Sequence, residues 1–286
     1  MLSLEMELLA KEKVLVIGLG EVGRALFELL RERQDFTVYG LDIDEAKTRE
    51  VGQKQEAIPT EVNVMHACIP CISQKKFIGI IANYAMQFNP KLVIVNSTVP
   101  PGTTMALSKL CTCLVAHSPI RGVHKDLDHM KWEVKRWTKY VGGASPEASD
   151  AARKHFEKMG LKTKVLQSCV ETELAKLFET TYRAWMIACF QEMHRISRHF
   201  EADFDDIVDF IEDTHRVGSD RPVMFPGVIG GHCVIPNTKL LLESFDSDFL
   251  RLILESNEKR QEEIKDRNIQ DEAEKIKKRI ERSKEK

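Results

Sequence analysis

The stretch Val14-Leu15-Val16-Ile17-Gly18-Leu19-Gly20-Glu21-Val22-Gly23 decides the fold of the first part of the chain. Its first four residues are a continuous apolar run of strand length, and apolar residues recur at helical spacing after Gly23. Glycines between a strand and a helix let the backbone approach a pyrophosphate, and the helix N-terminus offers it unpaired N–H groups. The stretch predicts a Rossmann-type dinucleotide site. The residues expected to contact the cofactor there are Gly18, Gly20, Glu21, Val22 and Gly23.

The residue that ends the next strand predicts which dinucleotide binds. Residues 36–41 read as a second strand, and Asp42 follows it about 19 residues after Gly23. A carboxylate at this position accepts hydrogen bonds from both hydroxyls of the adenosine ribose and repels a 2′-phosphate. The predicted cofactor is therefore NAD rather than NADP, although Lys47 lies nearby in the sequence.

Strand and helix patterns alternate beyond this turn. Strands that are apolar throughout are typical of a parallel sheet with helices on both faces. The fold class predicted is α/β, with an N-terminal doubly wound parallel sheet followed by an all-helical central domain. The further elements expected in the sheet domain are strands at 62–69, 92–95 and near 138–141, and helices at 72–88 and 146–159, the last with Ser145 as its N-cap.

The second half of the chain is helical in its periodicity. Residues 171–200 lack Gly and Pro, 203–211 predict another helix, and 221–236 are a Gly- and Pro-rich loop. From Glu255 onward most residues are charged, with a narrow apolar stripe that either packs on a partner helix or stays solvated. We favour a solvated, partly disordered tail beyond about residue 271. The expected domains are an NAD-binding domain at 1–167, a helical central domain at 168–258 and a charged helical or disordered tail at 259–286.

Composition excludes several classes of protein. The chain has 286 residues, 43% of them hydrophobic, and a net charge of -2, so nothing points to nucleic acid or an anionic membrane as a partner. We find neither a signal peptide nor an apolar run of membrane-spanning length, which favours a cytoplasmic protein. The 7 cysteines include a C-x-x-C and a C-x-C. A zinc site built from Cys68, Cys71, Cys111 and Cys113 is conceivable, but inert cysteines are favoured and no metal is expected.

Four further segments, together with the glycine turn, resemble the UDP-glucose/GDP-mannose dehydrogenase family. They are Ala-Cys-Ile-Pro-Cys at 67–71, Ser-Thr-Val-Pro-Pro-Gly-Thr-Thr at 97–104, Glu-Leu-Ala-Lys-Leu at 173–177 and Pro-Gly-Val-Ile-Gly-Gly-His-Cys at 226–233. The resemblance covers residues from about 14 to 254, and the second and fourth segments are specific when they occur in this order.

The resemblance implies an activity and roles for particular residues. The family uses two NAD to oxidise the primary alcohol of a nucleotide sugar to a carboxylate. By this resemblance Cys233 is the nucleophile that captures the aldehyde, and Lys176 stabilises oxyanions and assists proton transfer. Thr98 lies near the nicotinamide and substrate, and His232 is a loop-packing residue. Pro70, Ser97 and Thr98 join the residues that contact the cofactor.

The resemblance also implies a homodimer formed through the long helix after the lysine motif. Small and apolar residues follow one another along that helix and would allow close approach of two copies. These residues are Leu177, Thr181, Ala184, Ala188 and Gln191.

Three positions depart from the family's pattern. Ile120 stands where a glutamate is usual, Thr180 where an asparagine is usual, and Asn237 where an aspartate helps the lysine to activate water. An amide does not accept a proton as a carboxylate does, which puts the hydrolytic step in doubt. The family also has a third domain that holds the nucleotide of the sugar, and we expect it to be missing or supplied from elsewhere.

Three functions remain open from the sequence. The first is a dehydrogenase acting on a sugar nucleotide or a related small substrate, and the second is a two-electron hydroxyacid-type dehydrogenase, for which Cys233 would be idle. The third is a non-catalytic, NAD-binding regulatory subunit. For the first, we expect Cys233, Lys176 and Thr98 to face one cleft below the nicotinamide, with Asn237 beside them, because ligands of open α/β sheets bind beyond the carboxyl ends of the strands.

Overall fold

The computed structural model describes residues 11–52, 54, 57–123, 125–231 and 233–284. The chain divides into two compact units, one up to Lys176 and one from Leu177 onward. Each unit is described separately below.

The first unit is built on a seven-stranded sheet with the order β2-β1-β3-β4-β5-β6-β7. The neighbouring strands from β2 across to β5 are parallel, whereas β6 runs antiparallel to β5 and pairs in parallel with β7. The strands are β1 (Glu12–Ile17), β2 (Phe36–Leu41), β3 (Val64–Ala67), β4 (Leu92–Val95), β5 (Leu114–His117), β6 (Lys139–Gly143) and β7 (Thr163–Val165). The predicted α/β class is confirmed. The strand β5, the reversal at β6 and the three-residue β7, whose Thr-Lys-Val sequence is mostly polar, were not predicted.

Helices cover both faces of this sheet, and an apolar core lies on each side. The long helices correspond to predicted ones, and Ser145 caps the last of them by accepting a hydrogen bond from the Ala148 N–H at 3.2 Å. The short or highly charged helices lack a clear apolar period and were not predicted. The helices are α1 (Glu21–Arg31), α2 (Glu45–Glu50), α3 (Gln74–Phe88), α4 (Thr103–Ser108), α5 (Leu127–Arg136) and α6 (Pro146–Lys158).

A row of buried polar groups fixes the strand ends near the candidate site. The Asn96 amide donates to the Ser118 carbonyl at 2.8 Å, so its Oδ1 faces the His66 Nδ1 at 2.8 Å. The second nitrogen of His66 meets His155 at 2.9 Å, and His155 in turn meets the Glu12 carboxylate at 2.8 Å. Burial lowers the pKa of His66 to about 3, so this ring stays neutral. The row therefore ties the ends of β3, β4 and β5 together directly before Ser97.

Among its described residues the second unit contains helices joined by loops and no strand. The long helix α7 (Cys169–His199) begins in the first unit and continues into the second. It is followed by α8 (Phe204–Gly218), α9 (Val234–Ser244), α10 (Asp248–Glu263) and α11 (Arg267–Lys284). The predicted Gly- and Pro-rich loop corresponds to residues 219–233, because Pro236 lies in the first turn of α9, where proline is tolerated.

The charged tail differs from the favoured expectation of a partly disordered segment beyond about residue 271. It forms α11, with Ile276 buried in a cluster that includes Phe190, Phe204 and Val208. Arg279 adds ion pairs to three carboxylates of α8, among them Asp205 at 3.0 Å and Glu212 at 2.7 Å. The narrow apolar stripe thus packs within the chain itself. Among the described residues no helix combines the length and the apolar character needed to span a membrane.

Candidate active site

The turn after β1 requires glycine at two positions. Gly18 has a φ of +88°, and a Cβ there would lie 2.7 Å from the carbonyl oxygen of Cys68. A Cβ at Gly23 would lie 1.8 Å from the carbonyl oxygen of Gly18. The turn is therefore packed tightly against the residue that follows β3, which brings the start of α1 to the carboxyl edge of the sheet.

The outer side of the same turn is open. A Cβ at Gly20 would meet nothing within 4 Å, and the first turn of α1 begins beside it with Glu21 and Val22. A cavity of about 370 Å³ adjoins this surface. It is lined by Leu19, Gly20, Glu21, Arg24, Lys47, Lys125, Asp126, Leu127 and Met130. Three cationic side chains, two acidic ones and a helix N-terminus give this cavity a net positive character, so its residues fit the pyrophosphate of a dinucleotide.

Two of these cationic residues were missed in the sequence. Arg24 lies one turn into α1, where its spacing from Gly20 gave a usable signal. Lys125 lies directly before α5 in a region that predicted no element, so only the fold brings it to the cavity.

Asp42 is held firmly at the end of β2. One carboxylate oxygen accepts the Leu19 N–H at 2.6 Å and the other accepts the Asp44 N–H at 3.0 Å. The Asp42 N–H donates to the Thr48 hydroxyl at 3.0 Å. Each carboxylate oxygen keeps further lone-pair capacity, which suits it to accept a second hydrogen bond from a ribose hydroxyl.

The segment after β4 carries Ser97 and Thr98. The Ser97 hydroxyl donates to the Ile69 carbonyl at 2.6 Å, directly before Pro70. Ser97 and Pro70 therefore lie side by side at the carboxyl edge of the sheet, with Thr98 next in the chain. The sequence placed all three residues on this edge, and the structure brings Ser97 and Pro70 together.

Two side chains that sequence reasoning passed over attach the start of α7 to this segment. Buried His117, at the end of β5, contacts the Ser97 carbonyl at 3.1 Å and the Thr172 hydroxyl at 2.7 Å. Burial lowers the pKa of His117 to about 3, so the neutral ring donates through Nε2. Buried Glu173 accepts the N–H groups of Gly102 and Thr104 at 2.7 and 2.8 Å. Lys176 lies one turn further along α7, so these contacts attach the turn before Lys176 to the segment that follows Thr98. Glu173 stood in a quoted motif, whereas His117 had no signal beyond its strand end.

Cys233 occupies the N-cap position of α9 in the second unit. Its carbonyl oxygen accepts the Asn237 N–H at 2.9 Å, which forms the first helical hydrogen bond. The N-terminus of a helix stabilises a thiolate, so this position suits a nucleophile. Cys68 contrasts with it, because burial raises the pKa of the Cys68 thiol to about 12. The neighbouring His232 lies outside the described residues.

Two of the three departures from the family's pattern contact each other. The Asn237 amide donates to the Thr180 hydroxyl at 3.2 Å, and that hydroxyl lies 2.9 Å from the Leu177 carbonyl. Thr180 is one helical turn after Lys176 in α7. The third departure, Ile120, is buried in the apolar core of the first unit. Thr180 thus places a hydroxyl where the family's pattern has an amide, and Asn237 places an amide where it has a carboxylate.

The cysteines considered for zinc have different surroundings and form no disulfide. Cys111 and Cys113 pack at the edge of one apolar core and Cys68 at the edge of the other. Within the part of the chain that the structure describes, no three His, Cys, Asp or Glu side chains group as metal ligands.

Comparison with known proteins finds similarity to nucleotide-sugar dehydrogenases. Residues 170–259 match the central domain of the UDP-glucose/GDP-mannose dehydrogenase family. A UDP-N-acetyl-D-mannosamine dehydrogenase of Methanocaldococcus jannaschii is 27% identical, over 86% of this chain and 65% of that protein. The chain therefore spans slightly less than two thirds of that relative's length.

Solved structures share the fold. The UDP-N-acetyl-mannosamine dehydrogenase of Staphylococcus aureus aligns with a TM-score of 0.70 at 20% identity, over 91% of this chain and 70% of that one. A 3-hydroxyisobutyrate dehydrogenase of Mycobacterium tuberculosis aligns with a TM-score of 0.64 at 16% identity, over 90% and 95% of the two chains. The fold alone therefore does not separate the first two functions left open by the sequence. The match of residues 170–259 to that family's central domain supports the predicted resemblance to the UDP-glucose/GDP-mannose dehydrogenase family.

Proposed function

We propose that this protein is an NAD-dependent dehydrogenase that oxidises the primary alcohol of a UDP-linked sugar, with Cys233 as the nucleophile. The relatives that match it act on UDP-N-acetylmannosamine and UDP-glucose, as their names state. In the proposed reaction a first hydride leaves the alcohol carbon for NAD and gives an aldehyde. The Cys233 thiol adds to that aldehyde, a second NAD accepts a hydride from the adduct, and the resulting thioester is released by water as a carboxylate.

One observation carries this proposal more than any other. Cys233 caps α9, and Asn237 in the first turn of the same helix donates to Thr180, one turn after Lys176 in α7. Asn237, four residues after Cys233, thus contacts the residue one turn after Lys176, although the two positions are 57 residues apart in the sequence. We propose that Cys233, Lys176 and Thr98 act on the same substrate molecule, with Asn237 among the groups around it.

Thr180 and Asn237, which replace an amide and a carboxylate of the family's pattern, support a reaction in which hydrolysis of the thioester is slow. Water that attacks a thioester needs a base, and neither the Thr180 hydroxyl nor the Asn237 amide is one at neutral pH. This observation also favours a second candidate, a dehydrogenase of the hydroxyacid type that removes one hydride and needs no thiol. The third candidate, an NAD-binding regulatory subunit without turnover, fits the same exchange but leaves the position of Cys233 at a helix N-terminus unused.

A substrate screen separates these candidates. The full chain is incubated with NAD and, in turn, UDP-N-acetylmannosamine, UDP-glucose, the free sugars and 3-hydroxyisobutyrate, and NADH is followed by absorbance. We expect NADH only with the UDP-linked sugars. NADH from the hydroxyacid alone would establish the second candidate, and NAD binding without NADH from any substrate would establish the third.

We propose that NAD binds with its pyrophosphate over residues 18–23 and its adenosine ribose on Asp42. The support is the open surface at Gly20, the positive cavity beside it and the fixed carboxylate of Asp42. Replacing Asp42 by alanine removes the acceptor for both ribose hydroxyls, so we expect NAD to bind roughly ten- to hundredfold more weakly. Calorimetry with NAD and NADP is the measurement. Unchanged NAD affinity together with an unchanged preference over NADP would remove Asp42 from this role.

We also propose that the protein forms a homodimer in the cytoplasm, where its seven cysteines would stay reduced. The face expected from the sequence is corrected here: Leu177, Thr181, Ala184, Ala188 and Gln191 are all buried within the single chain. A different stripe of α7 exposes large apolar side chains at helical spacing, namely Phe178, Tyr182 and Ile196, and it continues in Phe200 directly after the helix. A second copy that covers this stripe would remove an apolar patch from water.

Light scattering tests the dimer at micromolar concentration. We expect twice the chain mass for the wild type and a monomer for Phe200→Glu, because a charge would be buried without a partner. Lys278→Glu, an exposed substitution on α11, is the control for surface charge. A wild-type monomer would refute the dimer.

A further inference from the structure

Two buried amide side chains hold the loop that leads to Cys233, which we name the cysteine loop (residues 219–233). Asn257 of α10 binds both backbone groups of one loop residue: its Oδ1 accepts the Ile229 N–H at 2.7 Å and its Nδ2 donates to the Ile229 carbonyl at 3.4 Å. Gln191 of α7 donates to the Gly227 carbonyl at 2.7 Å. Asn257 is 4% exposed and Gln191 is 0% exposed, so these bonds are shielded from water.

The orientation of both amides follows from their partners. A backbone N–H only donates and a carbonyl only accepts, so one orientation of Asn257 satisfies Ile229 on both sides. Gln191 must donate to Gly227 through its nitrogen, and its oxygen accepts the Ser256 hydroxyl at 2.7 Å. Neither side chain can flip without leaving a buried polar group unpaired, which is unfavourable.

A buried guanidinium binds the backbone of one of these amide residues. Arg260 of α10 is fully buried and donates to the backbone carbonyl of Gln191 at 2.8 Å. Glu263 is its counter-charge at 3.3 Å. Arg260 also meets the His194 Nδ1 at 3.2 Å. Burial and the nearby Arg260 lower the pKa of His194, so its ring stays neutral and accepts this hydrogen bond. The helices α7 and α10 are thereby joined at the level of the loop.

The cysteine loop needs such support because none of its described residues lies in a helix or strand. It runs directly into the N-cap of α9, so a shift of Ile229 is passed to the Cys233 thiol within four residues. Misplacement of a reacting atom by about 1 Å can cost on the order of 10²-fold in rate. The amides therefore bear on chemistry although they lie away from Cys233 in the sequence.

We propose that Asn257 and Gln191 are positioning residues for Cys233: they fix the cysteine loop so that the thiol is presented at the N-terminus of α9. The proposal rests on the proposed function, in which that thiol is the nucleophile. It adds that residues of α7 and α10 set the reactivity of Cys233 through backbone contacts at Gly227 and Ile229.

The test uses two near-isosteric variants of the full chain, Asn257→Leu and Gln191→Met, with Gln261→Met on the exposed side of α10 as the control. Hydrogen exchange of residues 227–231 reports on the loop, and alkylation of Cys233 by iodoacetamide across pH reports on the thiol. NADH formation from the UDP-linked sugar reports on catalysis. Because the two variants lie on different helices, loss of folding in one leaves the other as the test.

We expect loop exchange to become roughly tenfold faster in both variants and the alkylation profile to move to higher pH by roughly half a unit. We expect kcat to fall by roughly 10- to 100-fold while the affinity for NAD stays unchanged. Unchanged exchange and unchanged alkylation would overturn the proposal, and so would faster exchange with normal alkylation. If Cys233→Ser turns over normally, the proposed function fails on its own. The alkylation profile still decides whether the amides position the thiol.

Discussion

Replacing Cys233 by serine is expected to lower carboxylate formation by on the order of 10³-fold or more, because removing the nucleophile of a covalent mechanism costs several powers of ten. The first oxidation does not need the thiol. The variant should therefore still reduce some NAD, and an aldehyde-level product should accumulate. Serine keeps the size of the side chain at the N-cap of α9, so the helix itself is retained.

The measurement combines NADH absorbance with chromatography of the sugar product. Cys113→Ser is the matched control, since it removes a free thiol from the first unit. Trapping the aldehyde with semicarbazide distinguishes a stalled reaction from an inactive protein. Normal carboxylate formation by Cys233→Ser would contradict the nucleophile assignment and transfer the chemistry to the two-electron alternative.

Replacing Asn237 by aspartate is expected to raise the rate of carboxylate formation. Asn237 donates to the Thr180 hydroxyl at 3.2 Å. A carboxylate of the same size can accept a hydrogen bond from that hydroxyl instead, because the hydroxyl hydrogen can rotate. The new carboxylate supplies the base that the wild type lacks, and general-base catalysis contributes roughly 10²- to 10⁴-fold. We expect release of the carboxylate product to accelerate by at least about tenfold.

The rate of this variant should also depend on pH in a way that the wild type does not show. A carboxylate acts as a base only when ionised, so the gain in Asn237→Asp should disappear as pH falls through the acidic range. Asn237→Ala removes the amide without adding a base and serves as the control, for which no acceleration is expected. An acceleration in the alanine variant, or none in the aspartate variant, would show that Asn237 does not limit hydrolysis.

The strand-turn-helix part of the fold could be predicted because it depends on local sequence. The apolar run at 14–17 and the glycines at 18, 20 and 23 specify a strand and a tight turn through backbone sterics alone. The parallel order of β1 to β5 follows from strands that are apolar on both faces. The direction of β6 depends on how α5 packs, and α5 is too charged to give a clear helical period. The direction of β6 therefore follows from tertiary contacts and not from a local sequence pattern.

The candidate site was predictable where a motif carried it and unpredictable where distant residues meet. Asp42 follows β2 and Ser97 follows β4, as expected from their motifs, whereas Cys233 was expected within a loop and is instead the N-cap of α9. The contacts of His117 with Thr172, and of Asn257 with Ile229, join residues separated by 55 and 28 positions, and nothing local specifies them. The expected dimer face failed for a related reason: small apolar residues along a helix indicate close packing but not whether the same chain or a second copy provides it.

The central claim is that Cys233 forms a covalent bond to an oxidised UDP-linked sugar. Mass spectrometry of the intact protein after brief incubation with UDP-N-acetylmannosamine and NAD tests it most directly. Because Asn237 and Thr180 provide no base for hydrolysis, the thioester should accumulate. We predict a protein heavier by the mass of the substrate less four hydrogen atoms, with the added mass on the peptide that contains Cys233 and two NADH formed per modified chain. NADH formation with Cys233 unmodified at every time point, in wild type and in Asn237→Ala alike, would contradict the account.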